Sequence, residues 1–325
     1  MTVLVTGASG HVGLTLIQQL LESGRSVRAL DIKKGAGLEN LPITFYQGDI
    51  RDPSSFEAAF EGVETVFHLA SYISIQLNEW PLLEAINIHG VRTIISLCKK
   101  YGARRLVHFS SIEALSVEPR DRPIDERNAL VAPDFAIPYP RSKAAGQRIV
   151  LEAIRDGLDA VITYPSGIIG PNDTGFRAAN QLFLRAAQGK LPIIPAFSYD
   201  FVDVRDVAAG ALVAEQKGIS GEGYILSNSR FHMPDLARRV AILANARPPL
   251  TVPGWSARLS LPLINLMTAI QGKPGIVTRA SLYPLINAHE MSHAHATHTL
   301  GYQPRPIDDT LVDMVGWFRQ IGEIA

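Results

Sequence analysis

Tyr139 and Lys143 stand at i and i+4 in the run Tyr139-Pro140-Arg141-Ser142-Lys143. A phenol ionises near 10 in water, so it serves as an acid/base near neutrality only with a cation beside its phenolate. On a helix, positions i and i+4 share a face. Proline suits the first helical turn and disfavours helical backbone in the residue before it. The spacing therefore predicts Tyr139 at the start of a helix, facing outward, with Lys143 one turn inside. Such pairs also occur on ordinary helix surfaces, so a third group matters. Ser111 ends the apolar run Leu106-Val107-His108-Phe109-Ser110. At the C-terminal end of a strand, where open α/β sheets bind ligands, its hydroxyl could bond the substrate oxygen that Tyr139 protonates or deprotonates. Ser110 competes for this role and fits a packing role equally well.

A proton exchanger of this kind suits hydride transfer, and the N-terminus offers a place for the hydride carrier. Val3-Leu4-Val5-Thr6 runs into Gly7-Ala8-Ser9-Gly10-His11-Val12-Gly13. Gly7, Gly10 and Gly13, with Ser9, His11 and Val12 between them, read as a strand-to-helix turn. Such a turn lets backbone N–H groups meet a dinucleotide pyrophosphate with no side chain in the way. The spacing G-x-x-G-x-x-G is one residue wider than the commonest fingerprint. Asp31, at the end of the second strand, can accept both ribose hydroxyls and repels a 2′-phosphate, which favours NAD. Arg28, Lys33 and Lys34 nearby leave NADP open. Asp49, followed by Ile50, is a candidate for the adenine end and equally a helix-start acid. His68-Leu69-Ala70 ends the fourth strand, where small residues let the backbone approach a cofactor; His68 reads as structural.

These groups need a frame. Strands are predicted at Val3–Val5, Val27–Leu30, Ile43–Tyr46, Thr65–Leu69, Leu106–Phe109 and Ala160–Thr163. Helices are predicted at Val12–Glu22, Ser54–Phe60, Leu82–Lys100 and Arg141–Arg155. The strands are near-continuous apolar runs, as in a sheet covered on both faces. Alternation with helices gives an α/β, doubly wound parallel sheet of Rossmann type. Beyond Thr163, prolines break the pattern into loops. Val204–Gln216 and Tyr224–Leu226 are expected to return to the sheet. The expected division is a dinucleotide-binding domain over 1–166, rejoined by 200–228, and a smaller, mostly helical substrate domain over 167–199 and 229–325.

Composition narrows the class. The chain has 325 residues, 46% apolar and 19% charged, which suits a folded core. Lys+Arg and Asp+Glu are both 31, so no net charge argues for nucleic acid. The single cysteine, Cys98, cannot form an internal disulfide and reads as a buried thiol. The first strand begins at residue 2 or 3, leaving no room for a secretory signal. The apolar stretch Leu259 to Ile270 is too short to span a bilayer, which takes about 20 residues, though it could touch a membrane surface. A cytoplasmic enzyme acting on a small molecule is expected.

The chain resembles the extended short-chain dehydrogenase/reductases, the superfamily that includes nucleotide-sugar epimerases and dehydratases. Ser110-Ser111-Ile112-Glu113 and the Tyr139–Lys143 run resemble its 3β-hydroxysteroid dehydrogenase and dihydroflavonol reductase branch. The likeness covers nearly the whole chain. It includes Asn87-Ile88-His89-Gly90, Pro165-Ser166-Gly167-Ile168-Ile169-Gly170-Pro171, Phe201-Val202-Asp203-Val204-Arg205-Asp206-Val207 and Leu300-Gly301-Tyr302-Gln303-Pro304. It implies Ser111, Tyr139 and Lys143 as the catalytic set, and Lys143 also on the nicotinamide ribose. Asn87, Pro165 and Ser166 would lie beside the nicotinamide. A homodimer is a further implication. Two positions depart from the pattern: Tyr164 replaces an arginine before the proline, and Tyr199 stands where sugar-nucleotide enzymes often carry an arginine for the substrate's phosphates. The second departure speaks against a nucleotide sugar. An apolar pocket fits Tyr72, Ile73, Trp80, Phe135, Phe176 and Phe197.

One motif points elsewhere. His289-Glu290-Met291-Ser292-His293 matches H-E-x-x-H, which on a helix would bind zinc through two histidines with the glutamate as base. A hydrolase would follow, leaving the N-terminal half without a purpose; no metal is expected. A third class is a cofactor-sensing module without catalysis, which the joint presence of Ser111, Tyr139 and Lys143 argues against.

Overall fold

The computed structural model describes residues 1–175, 178–256, 282, 283, 285 and 289–325. Twelve strands are seen among them: β1 (Thr2–Thr6), β2 (Ser26–Asp31), β3 (Thr44–Gln47), β4 (Thr65–His68), β5 (Arg105–Phe109), β6 (Ala160–Pro165), β7 (Gly167–Ile169), β8 (Ile193–Pro195), β9 (Ser198–Asp203), β10 (Gly223–Leu226), β11 (Ser229–His232) and β12 (Leu250–Val252). The described α-helices are α1 (His11–Glu22), α2 (Trp80–Glu84), α3 (Val91–Tyr101), α4 (Pro138–Arg155), α5 (Ala178–Ala187), α6 (Val204–Lys217), α7 (Met233–Leu243), α8 (Ala294–Leu300) and α9 (Ile307–Gln320). The Leu259–Ile270 stretch and Phe176 lie outside the described residues.

The main sheet has seven parallel strands in the order β10-β6-β5-β4-β1-β2-β3. Its strands are apolar on both faces because both faces are covered. On one side Val3, Val5, Phe67, Val107 and Val161 pack against Leu16, Ile17 and Leu20 of α1 and Val207, Ala208 and Ala211 of α6. On the other, Leu4, Val66, Leu106 and Ile162 meet Ile94, Leu97 and Cys98 of α3 and Val150 of α4. Burial pushes the Cys98 thiol up to about 12, so it behaves as a packing group. The chain direction across the sheet reverses between β1 and β4, which opens a crevice at their C-terminal ends.

Four expectations change. The Ser54–Phe60 helix is instead two short 3₁₀ turns, Pro53–Ser55 and Glu57–Phe60, because Phe56, at φ −146°, turns out of helical backbone to bury its ring. The Leu82–Lys100 helix is interrupted by a π turn over Ala85–Gly90. Helix α4 starts at Pro138, earlier than Arg141, because Pro138 and Pro140 both sit in a first turn that needs no N–H from them. Among the described residues the C-terminal part is mostly helical, in α5, α7, α8 and α9, with two small sheets beside the helices: β7, β9 and β11 form a three-stranded sheet, and β8 pairs with β12. The return to the main sheet begins at Val204 rather than at residue 200, since β9 belongs to the small sheet.

Candidate active site

Ser111 leaves β5 in extended backbone and caps a 3₁₀ turn, its Oγ accepting from Glu113 N at 3.2 Å. That turn holds the serine at the sheet's C-terminal edge. Its hydroxyl lies beside the Tyr139 phenol, near enough to favour the ionised form. The outward orientation predicted for Tyr139 is therefore corrected: placed inside the first turn of α4, the side chain faces the serine and is half-buried. Burial and the neighbouring Glu113 carboxyl push the phenol's pKa up, and the Ser111 hydroxyl opposes them. Lys143 is buried one turn further along α4 and donates to the Phe109 carbonyl at 2.7 Å. Burial draws its ammonium down to about 8. Burial, Glu113 and Ser111 govern the Tyr139 phenol in this structure, with no effect from the Lys143 ammonium, which is turned to the β5 carbonyl. Its charge is felt instead by His68 and His108, adjacent in register on β4 and β5, with ring centroids 5.6 Å apart. Burial first, and Lys143 second, bring His68 down to about 3 and His108 well below its usual value. His68 is structural as expected, bonded through Nδ1 to Thr6 Oγ1 at 2.8 Å.

Ser110 differs from Ser111 through a residue far along the chain. Ser110 Oγ donates to Gln147 Oε1 at 2.7 Å, and Gln147 Nε2 donates to the Tyr164 hydroxyl. Ser110 is thus a packing residue. Tyr164, at the departure from the family's arginine, is buried over Gly223, whose hydrogen leaves room for the ring.

The glycine turn fits a dinucleotide. Gly7 has φ +68°, and a Cβ there would stand 2.8 Å from Ala70 N. A Cβ on Gly13 would overlap the Gly7 carbonyl. Both positions demand glycine, and Leu69 and Ala70 are the backbone against which the turn closes. Gly10 caps α1 with no side-chain hydrogen bond, so backbone N–H groups alone serve the helix start. Asp31 accepts from Ser9 N at 2.8 Å through one oxygen and from Ile32 N at 2.8 Å through the other. Those bonds aim the carboxylate beside the turn, where ribose hydroxyls could reach its remaining lone pairs. Ser9 Oγ donates to the Lys33 carbonyl. His11 contributes its place at the start of α1, because its ring Nε2 contacts the Pro171 carbonyl at 2.7 Å. Asp49 is clasped by the Arg51 guanidinium, which holds its carboxyl below the usual range; Ile50 beside it is buried in the core.

Asn87 is held by three hydrogen bonds of its own amide. Its Oδ1 accepts from Tyr72 N at 2.8 Å, and its Nδ2 donates to Tyr72 O and Ser142 Oγ at 2.9 Å each. The amide ties the loop after β4 to α4, and so positions the wall of the crevice. It sits in the π turn, a local widening frequent at functional sites. Pro165 ends β6, buried. Ser166 follows, its hydroxyl donating to Asp200 Oδ1 at 2.5 Å. Burial raises the Asp200 carboxyl to about 6.

Two groups escaped notice as functional residues. Glu113 lies beside the Tyr199 phenol, and burial raises its carboxyl to about 7. An acid two residues past the serine, in the otherwise apolar run Ile112-Glu113-Ala114-Leu115, was the available signal. Both line an apolar cavity with Ile112, Ile124, Val131 and Met291. Its walls are largely not the aromatic residues named from sequence.

The H-E-x-x-H segment is not helical. Met291 bridges Ile124, with Ile124 N donating to Glu290 O and Ser292 N to Ile124 O. Without a helix, His289 and His293 do not share the i, i+4 face that the motif needs. His293 contacts Thr297 Oγ1, and His295 contacts Glu222.

Comparison with known proteins agrees with this geometry. The sequence model of the NAD dependent epimerase/dehydratase family matches residues 3–226. The chain is similar to "Sterol demethylase protein B" of Methylococcus capsulatus, 32% identical with all of both chains covered. It is 28% identical to mouse "Sterol-4-alpha-carboxylate 3-dehydrogenase, decarboxylating", covering 95% of this chain and 88% of that one. The crystal structure of gox2253 superposes with a TM-score of 0.82 at 29% identity, covering 100% and 99% of the two chains. The chain belongs to the NAD dependent epimerase/dehydratase family, as an NAD-dependent extended short-chain dehydrogenase/reductase of the 3β-hydroxysteroid dehydrogenase-like branch.

Proposed function

We propose that the protein interconverts a secondary alcohol and a ketone on an apolar substrate, with Ser111, Tyr139 and Lys143 as its catalytic residues. The closeness of the Ser111 hydroxyl to the Tyr139 phenol, with Lys143 one turn along α4 and an apolar cavity alongside, is the observation that carries this reading. Gly7, Gly10 and Gly13 would admit the pyrophosphate, Asp31 the adenosine ribose, and Lys143 the nicotinamide ribose. NAD, when bound, supplies the hydride acceptor or donor and, oxidised, a positive charge. Ser111 orients the substrate oxygen. Tyr139 takes the hydroxyl proton in oxidation and returns it to the carbonyl oxygen in reduction. The raised phenol pKa suits the donating direction. Lys143 adds positive charge one turn from the phenol, favouring the phenolate when its ammonium leaves the Phe109 carbonyl for the ribose.

The sterol-acting relatives support an apolar alicyclic substrate. Epimerase or dehydratase chemistry on a sugar nucleotide is less well supported, because Tyr199 and Glu113 stand where a phosphate would need a cation. The test is a screen of hydroxysteroids, aromatic alcohols and sugar nucleotides with NAD. Stoichiometric NADH from a hydroxysteroid is expected. Isomerised or dehydrated sugar nucleotide without net NADH would overturn the reading.

A further inference from the structure

The cavity beside Ser111 is mostly apolar, with Glu113, Tyr199, Tyr283 and His289 as its polar lining groups. Glu113 projects into walls formed by Ile112, Leu115, Val117, Ile124, Val131 and Met291. Among the described residues lining it there is no lysine or arginine. The Tyr199 phenol lines the cavity beside this carboxyl, which has roughly four acceptor sites. The position of this pair is fixed from two sides. Glu113 sits in the 3₁₀ turn that Ser111 caps, and Tyr199 lies on β9, its ring packed over Gly167, where a Cβ would stand 2.7 Å away. The pair is close enough to Tyr139 for the carboxyl to act on that phenol.

A carboxyl in such a wall is costly unless something satisfies it. Resting on the alcohol/ketone reading above, we infer that the Glu113–Tyr199 pair is a specificity station that accepts a hydrogen bond from a second hydroxyl on the substrate, on a carbon near the reacting carbinol. The Glu113 charge repels an anion, and no lysine or arginine in the described lining offsets it, which favours a neutral hydroxyl over a carboxylate. The turn that carries Glu113 also carries Ser111, so the two substrate oxygens would be read by adjacent residues of one rigid element. The preferred substrate is then an apolar ring system bearing a diol, rather than a simple alcohol.

The test uses the full-length protein and its Glu113→Gln and Glu113→Leu variants. The probes are 5α-androstan-3β-ol and its 4-hydroxy analogue, with 2-decalol and its vicinal diol as a smaller pair. Wild type should favour each diol over its mono-ol by about 10- to 100-fold in kcat/KM, the scale of a hydrogen bond to a charged group. Glu113→Leu should bring that ratio near one, and Glu113→Gln should keep part of it, since the amide still accepts. Equal preference in wild type would overturn the inference. So would loss of turnover on both probes in folded Glu113→Gln, which would make Glu113 an acid/base instead. A preference for 4-carboxylated over 4-hydroxylated steroid would also overturn it. Calorimetry of the same probes with NADH-saturated protein separates the two readings. Tighter Glu113-dependent binding of the diol without turnover would sustain the station and sink the dehydrogenase.

Discussion

Gly146 of α4 lies so close to the Asn87 carbonyl that a Cβ built on the glycine would overlap the oxygen. The π turn pushes that carbonyl into the groove between Ser142 and Gly146, while the Asn87 amide bonds Ser142 and Tyr72. Gly146→Ala must therefore move α4 or the π turn, and α4 carries Tyr139 and Lys143. The expected cost is about 1–3 kcal/mol of stability, as for other overpacked sites. Turnover should fall even where the protein remains folded. Chemical denaturation paired with steady-state rates checks this; an unchanged melting midpoint and rate would mean that the contact is slack.

Tyr139→Phe should lower turnover by roughly 100- to 10,000-fold, the usual contribution of a positioned acid/base, with cofactor affinity largely kept. Lys143→Met should weaken NAD binding and move the rate to higher pH, since an isolated phenol ionises near 10. A pH–rate profile at saturating NAD, with chemistry limiting, is the measurement. An acidic limb in Lys143→Met that coincides with wild type would show that the ammonium does not tune the phenol.

Asp31 has two duties, holding Ser9 N and Ile32 N as well as facing the ribose. Asp31→Ala should weaken NAD binding and narrow the preference over NADP, because repulsion of a 2′-phosphate goes with the charge. Asp31→Asn keeps an acceptor for the backbone and should bind NAD better than the alanine variant. Tighter binding of NADP than NAD by the native protein, read by calorimetry, would show this assignment to be mistaken.

His68 and His108 should make the fold sensitive to acid. The pKa of His68, about 3 when folded against 6.5 unfolded, means that the unfolded chain binds the proton first. The stabilisation is full above pH 6.5 and is lost as pH falls toward 3, by up to about 1.4 kcal/mol per pH unit for each histidine. Glu113, raised to about 7, works in the opposite sense between its unfolded value of 4.5 and 7. Two histidines outweigh one carboxyl. The variant His68→Gln/His108→Gln should therefore lose less stability between pH 7 and pH 4 than wild type. Parallel stability curves over that range would disprove it.

The alternation of strand and helix was legible because the main sheet is covered on both faces, which leaves unbroken apolar runs such as Val3–Val5. The glycine turn was legible because positive φ at Gly7 and the close approach at Gly13 leave few residue types. Other features were hidden because they depend on distant partners. Ser110 and Ser111 are chemically alike; Gln147 distinguishes them. The π turn depends on the bare backbone of Gly146. Glu113 acquires its character from Tyr199 and from burial. Strands such as β7, β8 and β12 have three residues each, too few to display a period.

The chain passes between the large and small sheets three times: from Pro165 to Gly167, from Asp203 to Val204 and from Leu226 to Ser229. Asp200 reaches two of these passages, accepting from Ser166 and from Asn228 N. The small sheet is therefore not a cassette that can be lifted out with one cut at each end. A chimera that borrows it from a relative needs matched splices at all three joints and must keep the Asp200 strap. Recombination at a single joint would strand β9 or β10 away from its partners. New specificity on this scaffold is more readily reached by substitutions along the walls than by exchange of a module.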